Sequence, residues 1–220
     1  MSGPLHPSEV TLEEGALLVR LARRAVERFL ETGERIRAPQ DIPEKLRRPG
    51  AAFVTIEVFV DEGHRDLRGC IGYTEPVKPL VDTVIDVAIE AAVHDPRFPP
   101  MTPGETGMVT FEVSVLSEKE PLPSDPSRRP ESIVIGRHGL IVERGAYRGL
   151  LLPQVPVEYG WDEETFLAET CVKAGLHPTC WLDPDTRFYR YEARIFREKR
   201  PRGDVEERDL AVEYRSLFRR

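Results

Sequence analysis

The chain reads as a mixed α+β protein, on three observations. Two long stretches carry apolar residues at helical spacing, and at least three carry them in alternation. The two kinds of element follow one another without the repeating strand-helix unit of a doubly wound sheet. A length of 220 residues, against the roughly 100 to 200 usual for one domain, predicts one compact body, with room for two lobes. Hydrophobic residues at 40% and charged residues at 31% supply a buried core and argue against global disorder.

Thr11-Leu12-Glu13-Glu14 has the spacing of a capping box, and Leu18, Leu21, Ala25 and Phe29 follow at steps of three and four. This predicts a helix to about Glu31, stopped at Gly33. Residues 36–50 carry three prolines and mixed charge and read as a connecting loop. Val54, Ile56, Val58 and Val60 then alternate with Phe53, Thr55, Glu57 and Phe59 as a strand. Asp61-Glu62-Gly63-His64 is its turn, and Leu67 to Tyr73 is the return strand of a hairpin.

Leu80, Val84, Val87 and Ala91, flanked by Val81, Ile85, Ala88 and Ala92, predict a sheet-packed helix from about Val77 to Val93. Asp95-Pro96 ends it, because proline lacks a donor and biases the preceding residue away from helix. Val109, Phe111, Val113 and Val115 form another alternating strand, with Glu112 on its other face. Residues 121–130 read as a Pro- and Ser-rich loop and, with 36–50, as a place for a lobe boundary.

Ile133–Ile135, Leu140–Glu143 and Leu150–Leu152 read as short strands of a meander, with turns at Gly136-Arg137-His138-Gly139 and at Gly145. Asp162 caps a helix to about Ala174 with Phe166, Thr170 and Cys171 inward and Gly175 as terminator. Arg187 to Arg197 is the last clear strand. The final twenty residues are highly charged, a peripheral helix or a tail.

Composition excludes some classes of function. A net charge of -7 gives no global attraction to nucleic acid or anionic membrane. No apolar run approaches the about 18 residues of a membrane-spanning helix, and the N-terminus lacks signal-peptide character, so a cytoplasmic location is expected. Three cysteines, at 70, 171 and 180, without a Cys-x-x-Cys pair, fit a reducing compartment and no disulfide framework. The absence of Asn, two Gln and 20 Pro are features of a thermophile's protein. Phosphate-binding P-loops and the serine-nucleophile pentapeptide are missing. Cys171, His177 and Cys180 match no common zinc spacing, so no metal site is assigned.

Cys70 carries the sharpest chemical signal. Gly69 and Gly72 let a ligand near the backbone, and Arg68 would favour the thiolate, the nucleophilic form. The alternative is a small buried apolar residue with glycines serving a bulge or tight sheet packing. His138 beside Gly139 reads as an accessible turn imidazole, a base near neutral pH. Glu112 must face a cleft or find a partner such as an arginine. Cys70, His138 and Glu112 would together make a base-assisted thiol nucleophile if they converge.

Leu67-Arg68-Gly69-Cys70-Ile71-Gly72, Asp95 to Thr102, His138-Gly139-Leu140 and Leu151-Leu152-Pro153-Gln154-Val155 together resemble the AMMECR domain family over almost the whole chain, from Leu17 to Phe196. The resemblance implies a two-lobed α+β fold. Its larger lobe has an antiparallel sheet and both termini, and the signature lies near a cleft. It also implies association with Memo-type dioxygenase-like and radical SAM proteins, and marks Arg68, Gly69, Cys70, Gly72, Arg97, His138 and Gln154 as motif members. It implies no settled reaction, and it leaves the cofactor unknown.

Two readings stay open. In the first, the chain is an enzyme or small-molecule modifier. Cys70 is its nucleophile or redox thiol, His138 and Glu112 are acid/base groups, and Arg68 and Arg97 hold an anionic substrate beside Gly69, Gly72 and Gln154. In the second, it is a binding or adaptor module for Memo-like and radical SAM partners, for which Arg68 and the Asp95 to Pro100 loop matter and the thiol does not. A nucleic-acid reader would need a basic face that this acidic chain must supply locally.

Overall fold

The computed structural model describes residues 3–218. In chain order the elements are α1 (Leu12–Thr32), β1 (Ala51–Asp61), β2 (His64–Tyr73), α2 (Leu80–Val93), β3 (Val109–Leu116), β4 (Glu120–Pro121), β5 (His138–Arg144), β6 (Tyr147–Leu151), α3 (Gln154–Tyr159), α4 (Glu163–Lys173), β7 (Arg187–Glu198), β8 (Val205–Glu207) and α5 (Leu210–Phe218), joined by short 3-10 turns. Strand pairing is antiparallel, and the fold is α+β. The chain divides into two compact units. One is the chain up to Glu118 together with Arg194–Arg208; the other is Lys119–Ala193 and the chain from Asp209 onward. The last helix thus groups with the second unit, and the expectation that one lobe holds both termini is corrected.

In the first unit β1 lies between β2 and β3. Cross-strand neighbours share a face, so Val54 and Ile56 of β1 stand with Val113 and Phe111 of β3 and pack against Leu18, Ala22, Val84 and Ala88 of α1 and α2. Each fully buried branched side chain contributes about 1.5–3 kcal/mol of hydrophobic stabilisation. Helix α1 starts as its capping box requires. Thr11 Oγ1 accepts the Glu14 N–H at 3.3 Å while Glu14 accepts the Thr11 N–H at 2.8 Å, and Gly33 ends it with φ +73°. Helix α2 starts at Leu80, after Pro79, three residues later than its apolar stripe.

In the second unit β5 lies between β6 and the first part of β7, whose other pairing is with β4. Ile133–Ile135 forms no strand: both isoleucines are buried from irregular backbone, and Gly136 at φ +81° turns the chain so that β5 starts at His138. His138 is therefore a strand residue, not a turn residue. The helix after Asp162 is found as α4, with Asp162 accepting the Thr165 N–H at 2.8 Å and Gly175 at φ +74°. Apolar spacing did not reveal the six-residue α3, which holds Gln154. The charged C-terminal stretch forms β8 and α5.

Cys171 and Cys180 form a disulfide, with Cα atoms 6.0 Å apart. This corrects the expectation of no disulfide and removes cysteine usage as an argument for a reducing compartment. The bond ties the last turn of α4 to the 3-10 turn Pro178–Leu182. Closing a loop this short stabilises by about 2–3 kcal/mol. Cys171→Ser is expected to lose that much in guanidinium unfolding under oxidising conditions, and to unfold like wild type once dithiothreitol is added.

Candidate functional site

The signature motif lies on β2, which pairs only with β1 and so forms a sheet edge among the described residues. Ile56 opposes Gly69 while Glu57 opposes Leu67, so Arg68 is the extra residue of a β-bulge, and the bulge re-aims its side chain. Arg68 Nε donates to Glu105 at 2.8 Å and Nη2 to the Pro99 carbonyl at 2.9 Å, with the guanidinium 5.9 Å from the Phe98 ring centroid. The glycines serve packing. A Cβ on Gly69 would stand 2.1 Å from the Ala91 carbonyl of α2, and one on Gly72 would stand 2.2 Å from the Phe53 ring.

The loop after α2 reaches back to that edge. Asp95 Oδ2 accepts the Cys70 N–H at 2.9 Å, and Arg97 Nη2 donates to the Cys70 carbonyl at 3.4 Å. Arg97 also holds Asp95, with Nε to Oδ1 at 2.9 Å and Nη2 to Oδ2 at 2.6 Å. The ion pair thus occupies both outward backbone groups of Cys70, as a neighbouring strand would. Asp95, buried at 4% exposure, was legible in sequence as a helix stop and as the start of a motif loop, not as the partner of Cys70. Its other signal was an Asp-Pro-Arg spacing, in which a carboxylate bonds the backbone two residues on, here the Arg97 N–H at 3.1 Å.

Hydrogen bonds from Arg97, together with the Cys70 and Arg97 N–H groups, hold the Asp95 carboxyl down to about 2, against about 3.9 in an unfolded chain. A depressed carboxylate contributes stability that is full above about pH 4 and is lost as pH falls toward 2. The wild type is expected to lose about 2 kcal/mol from this group across that window. Asp95→Asn, already less stable at pH 7, should show a correspondingly smaller loss when urea unfolding is followed from pH 4 to pH 2.

Register places Thr55 opposite both Cys70 and Glu112, so the three side chains form a row on the sheet face away from the helices. Thr55 Oγ1 donates to Cys70 Sγ at 3.4 Å. Burial pushes the thiol up to about 11; the Thr55 bond and the Arg97 charge oppose this, while the charges of Glu112 and Asp95 add to it. The expected thiolate is therefore corrected: Arg68 turns its Nε and Nη2 to Glu105 and Pro99, and desolvation of the thiol dominates. Iodoacetamide labelling of Cys70 should be slow at pH 8 and rise only well above the about 8.5 of a free thiol, unchanged in His138→Ala. Fast labelling at pH 7, read by peptide mass spectrometry, would refute this.

Glu112 is 2% exposed and pairs with Arg208 at 2.8 Å, whose side chain is 4% exposed. Of its two expected alternatives it has taken the ion pair. His138 lies in the second unit at 5% exposure, and its Nδ1 accepts the Val134 N–H at 3.0 Å. Burial, aided by the charges of Arg190 and Arg137, holds it down to about 4. It is neutral at pH 7 and not poised as a base there, which corrects the accessible-imidazole expectation. Gln154, also in the second unit, is buried at the start of α3. Arg68, Gly69, Cys70, Gly72, Arg97 and Glu112 all belong to the first unit. Thr55 and Glu105 complete their setting and were not among the expected site residues, whereas Asp95 and Phe98 belong to the loop expected to matter in the binding-module reading.

The family model AMMECR1 matches residues 19–196. The chain belongs to the AMMECR1 family. The AMMECR1 match takes in the signature strand, the Asp95 loop, His138 and Gln154. The chain is 54% identical over 198 residues to a protein of Thermococcus gammatolerans, covering 90% of this chain and 97% of that one. It is 52% identical over 198 residues to protein PH0010 of Pyrococcus horikoshii, covering 90% and 96%. The crystal structure of uncharacterized protein PH0010 superposes with a TM-score of 0.89 at 51% identity, covering 91% of this chain and 99% of that chain. No helix among the described residues is long and apolar enough to cross a membrane.

Proposed function

We propose that the chain is a binding module of the AMMECR1 family whose recognition surface is the Asp95 to Thr102 loop, held on the signature strand. The observation that carries this is the grip on the Cys70 backbone by Asp95 and Arg97. Desolvation pushes the thiol up to about 11, away from the nucleophilic form at neutral pH. The signature then works as a rigid mount. Its glycines admit α2 and Phe53, and its bulged arginine fastens Glu105 and Pro99 from the same loop.

The loop offers exposed Pro96, Pro99 and Pro100, the partly exposed Phe98 ring, and an Arg97 side chain that is 44% exposed. An aromatic ring and an arginine on a pre-organised loop are the residue types that dominate binding energy at protein interfaces. The partners supported by the family resemblance are Memo-like and radical SAM proteins, in the cytoplasm. An intracellular location accommodates the disulfide if the chain comes from a hyperthermophilic archaeon. The two units are read as lobes of one AMMECR-type domain.

Titration calorimetry of the full chain against a Memo-like and a radical SAM protein from the same genome tests the proposal. Phe98→Ala and Arg97→Glu should each weaken binding at least tenfold, and Cys70→Ser should leave it unchanged. Loss of binding in Cys70→Ser, or none in the two loop variants, would remove the proposal and return the thiol-enzyme reading.

A further inference from the structure

The second unit carries an open surface pocket of about 480 Å³ between β4, the two turns at 126–132 and β7. That volume lies within the usual range of small-ligand sites. Pro121, Leu122 and Pro123 give it apolar wall; Ser124, Asp125, Arg128, Ser132 and Arg190 give it polar wall. We propose that this pocket binds a small zwitterion with an apolar body, of the class of a free apolar amino acid, through Arg128 and Asp125.

The pocket is built rigidly. Arg129, 1% exposed, spends its guanidinium on backbone carbonyls. Nε donates to Pro123 at 3.2 Å and Nη2 to Ser124 at 3.4 Å, while Trp181, Asp183 and Thr186 accept at 2.5, 3.2 and 2.8 Å. The wall segment is thereby fastened to the turn that the disulfide ties to α4. Arg190 is committed as well: Nε and Nη2 donate to Glu120 at 3.2 and 3.0 Å, and Nη1 to the Ser132 carbonyl at 2.7 Å. Ser132 donates its hydroxyl to the Arg128 carbonyl at 2.9 Å.

Two charged groups of opposite sign remain. The exposed Arg128 guanidinium makes no hydrogen bond or close ion pair among the described residues, and its charge acts on Asp125. Asp125 Oδ1 accepts the Ser127 N–H at 3.0 Å and the Ser127 hydroxyl at 2.8 Å, which leaves Oδ2 for a donor from outside. A cation and an anion three residues apart beside a proline-lined wall match a ligand that carries a carboxylate and an ammonium on one carbon with an apolar side chain. Guanidinium takes carboxylate in charge-assisted hydrogen bonds, and carboxylate takes ammonium likewise. A purely anionic ligand would face Asp125, and a purely cationic one would face Arg128.

The test is a titration of the isotope-labelled full chain with L-leucine, N-acetyl-L-leucine and L-leucinamide, followed by backbone amide shifts. Saturable leucine shifts confined to residues near 121–132 and 190 are expected. Either blocked compound should bind at least tenfold more weakly. Arg128→Gln and Asp125→Asn, both at exposed positions, should each raise the leucine Kd at least tenfold, and Arg20→Glu, exposed on α1 in the other unit, should not. Absence of saturable leucine shifts, equal binding of a blocked compound, or an unchanged Kd in Arg128→Gln would each overturn the proposal. A failure of the Asp95 loop as a partner surface would leave every one of these outcomes readable.

Discussion

Glu112→Ala is expected to lower the stability of the chain by about 3–5 kcal/mol, because it removes the carboxylate that faces a buried guanidinium. The carboxylate and Arg208 are both almost fully enclosed and meet at 2.8 Å. Arg208 is held there by its own backbone as well, its N–H donating to the Ile195 carbonyl at 2.9 Å, so it has no easy route to water. Removing one partner of such a pair costs the desolvation of the other, whereas replacing both with apolar groups of similar size often costs little. Glu112→Met combined with Arg208→Leu should therefore recover most of the loss, a coupling that separate sites would not give. Guanidinium unfolding at pH 7 measures both. A single variant as stable as wild type would show that the carboxylate is not structural and would restore it as a candidate acid or base.

Gly69→Ala carries the next largest effect, a loss of about 3 kcal/mol, at the upper end for overpacking. The added methyl would stand 2.1 Å from the Ala91 carbonyl oxygen and 3.0 Å from its carbonyl carbon. These are helix backbone atoms, so no side-chain rotation relieves the overlap. Helix α2 would have to lift from β2, and Ala88, Ala91 and Ala92 would leave close packing together. Gly107→Ala is the matched control, since a Cβ there meets nothing within 4 Å; it should stay within about 0.5 kcal/mol of wild type. Thermal unfolding of the two variants side by side decides the matter. If they behave alike, the glycine serves access to the backbone and not packing.

Much of the architecture was readable from residue order, because its signals are local. The Thr11 capping box, the Asp162 cap, the Gly33 and Gly175 terminators and the alternation through β1, β3 and β7 each depend on residues within a few positions of one another. Where the reading failed, apolar periodicity did not carry the deciding feature. Ile133 and Ile135 have strand-like character, yet Gly136 turns the chain before a partner is met. Cys171 and Cys180 look unpaired by spacing, and only the return of the chain after α4 brings them together.

The candidate site divides the same way. The bulge-prone glycines and the proline-bounded loop were visible as residue types. Their use was not: Asp95 gripping the Cys70 backbone joins positions 25 apart, Arg68 meets Glu105 across 37, and Glu112 meets Arg208 across 96. Charge state followed from these meetings. Arg68 next to Cys70 predicts a lowered thiol pKa, but a guanidinium aimed at Glu105 and Pro99 and the desolvation of the thiol reverse the sign. Helices, strands and family were thus written in short-range periodicity and in an unbroken signature. Protonation and ion pairing were set by burial and by long-range contact, because the energy of a charge or a thiol depends on what surrounds it in space and not along the chain; the disulfide was set by the turn of the chain after α4.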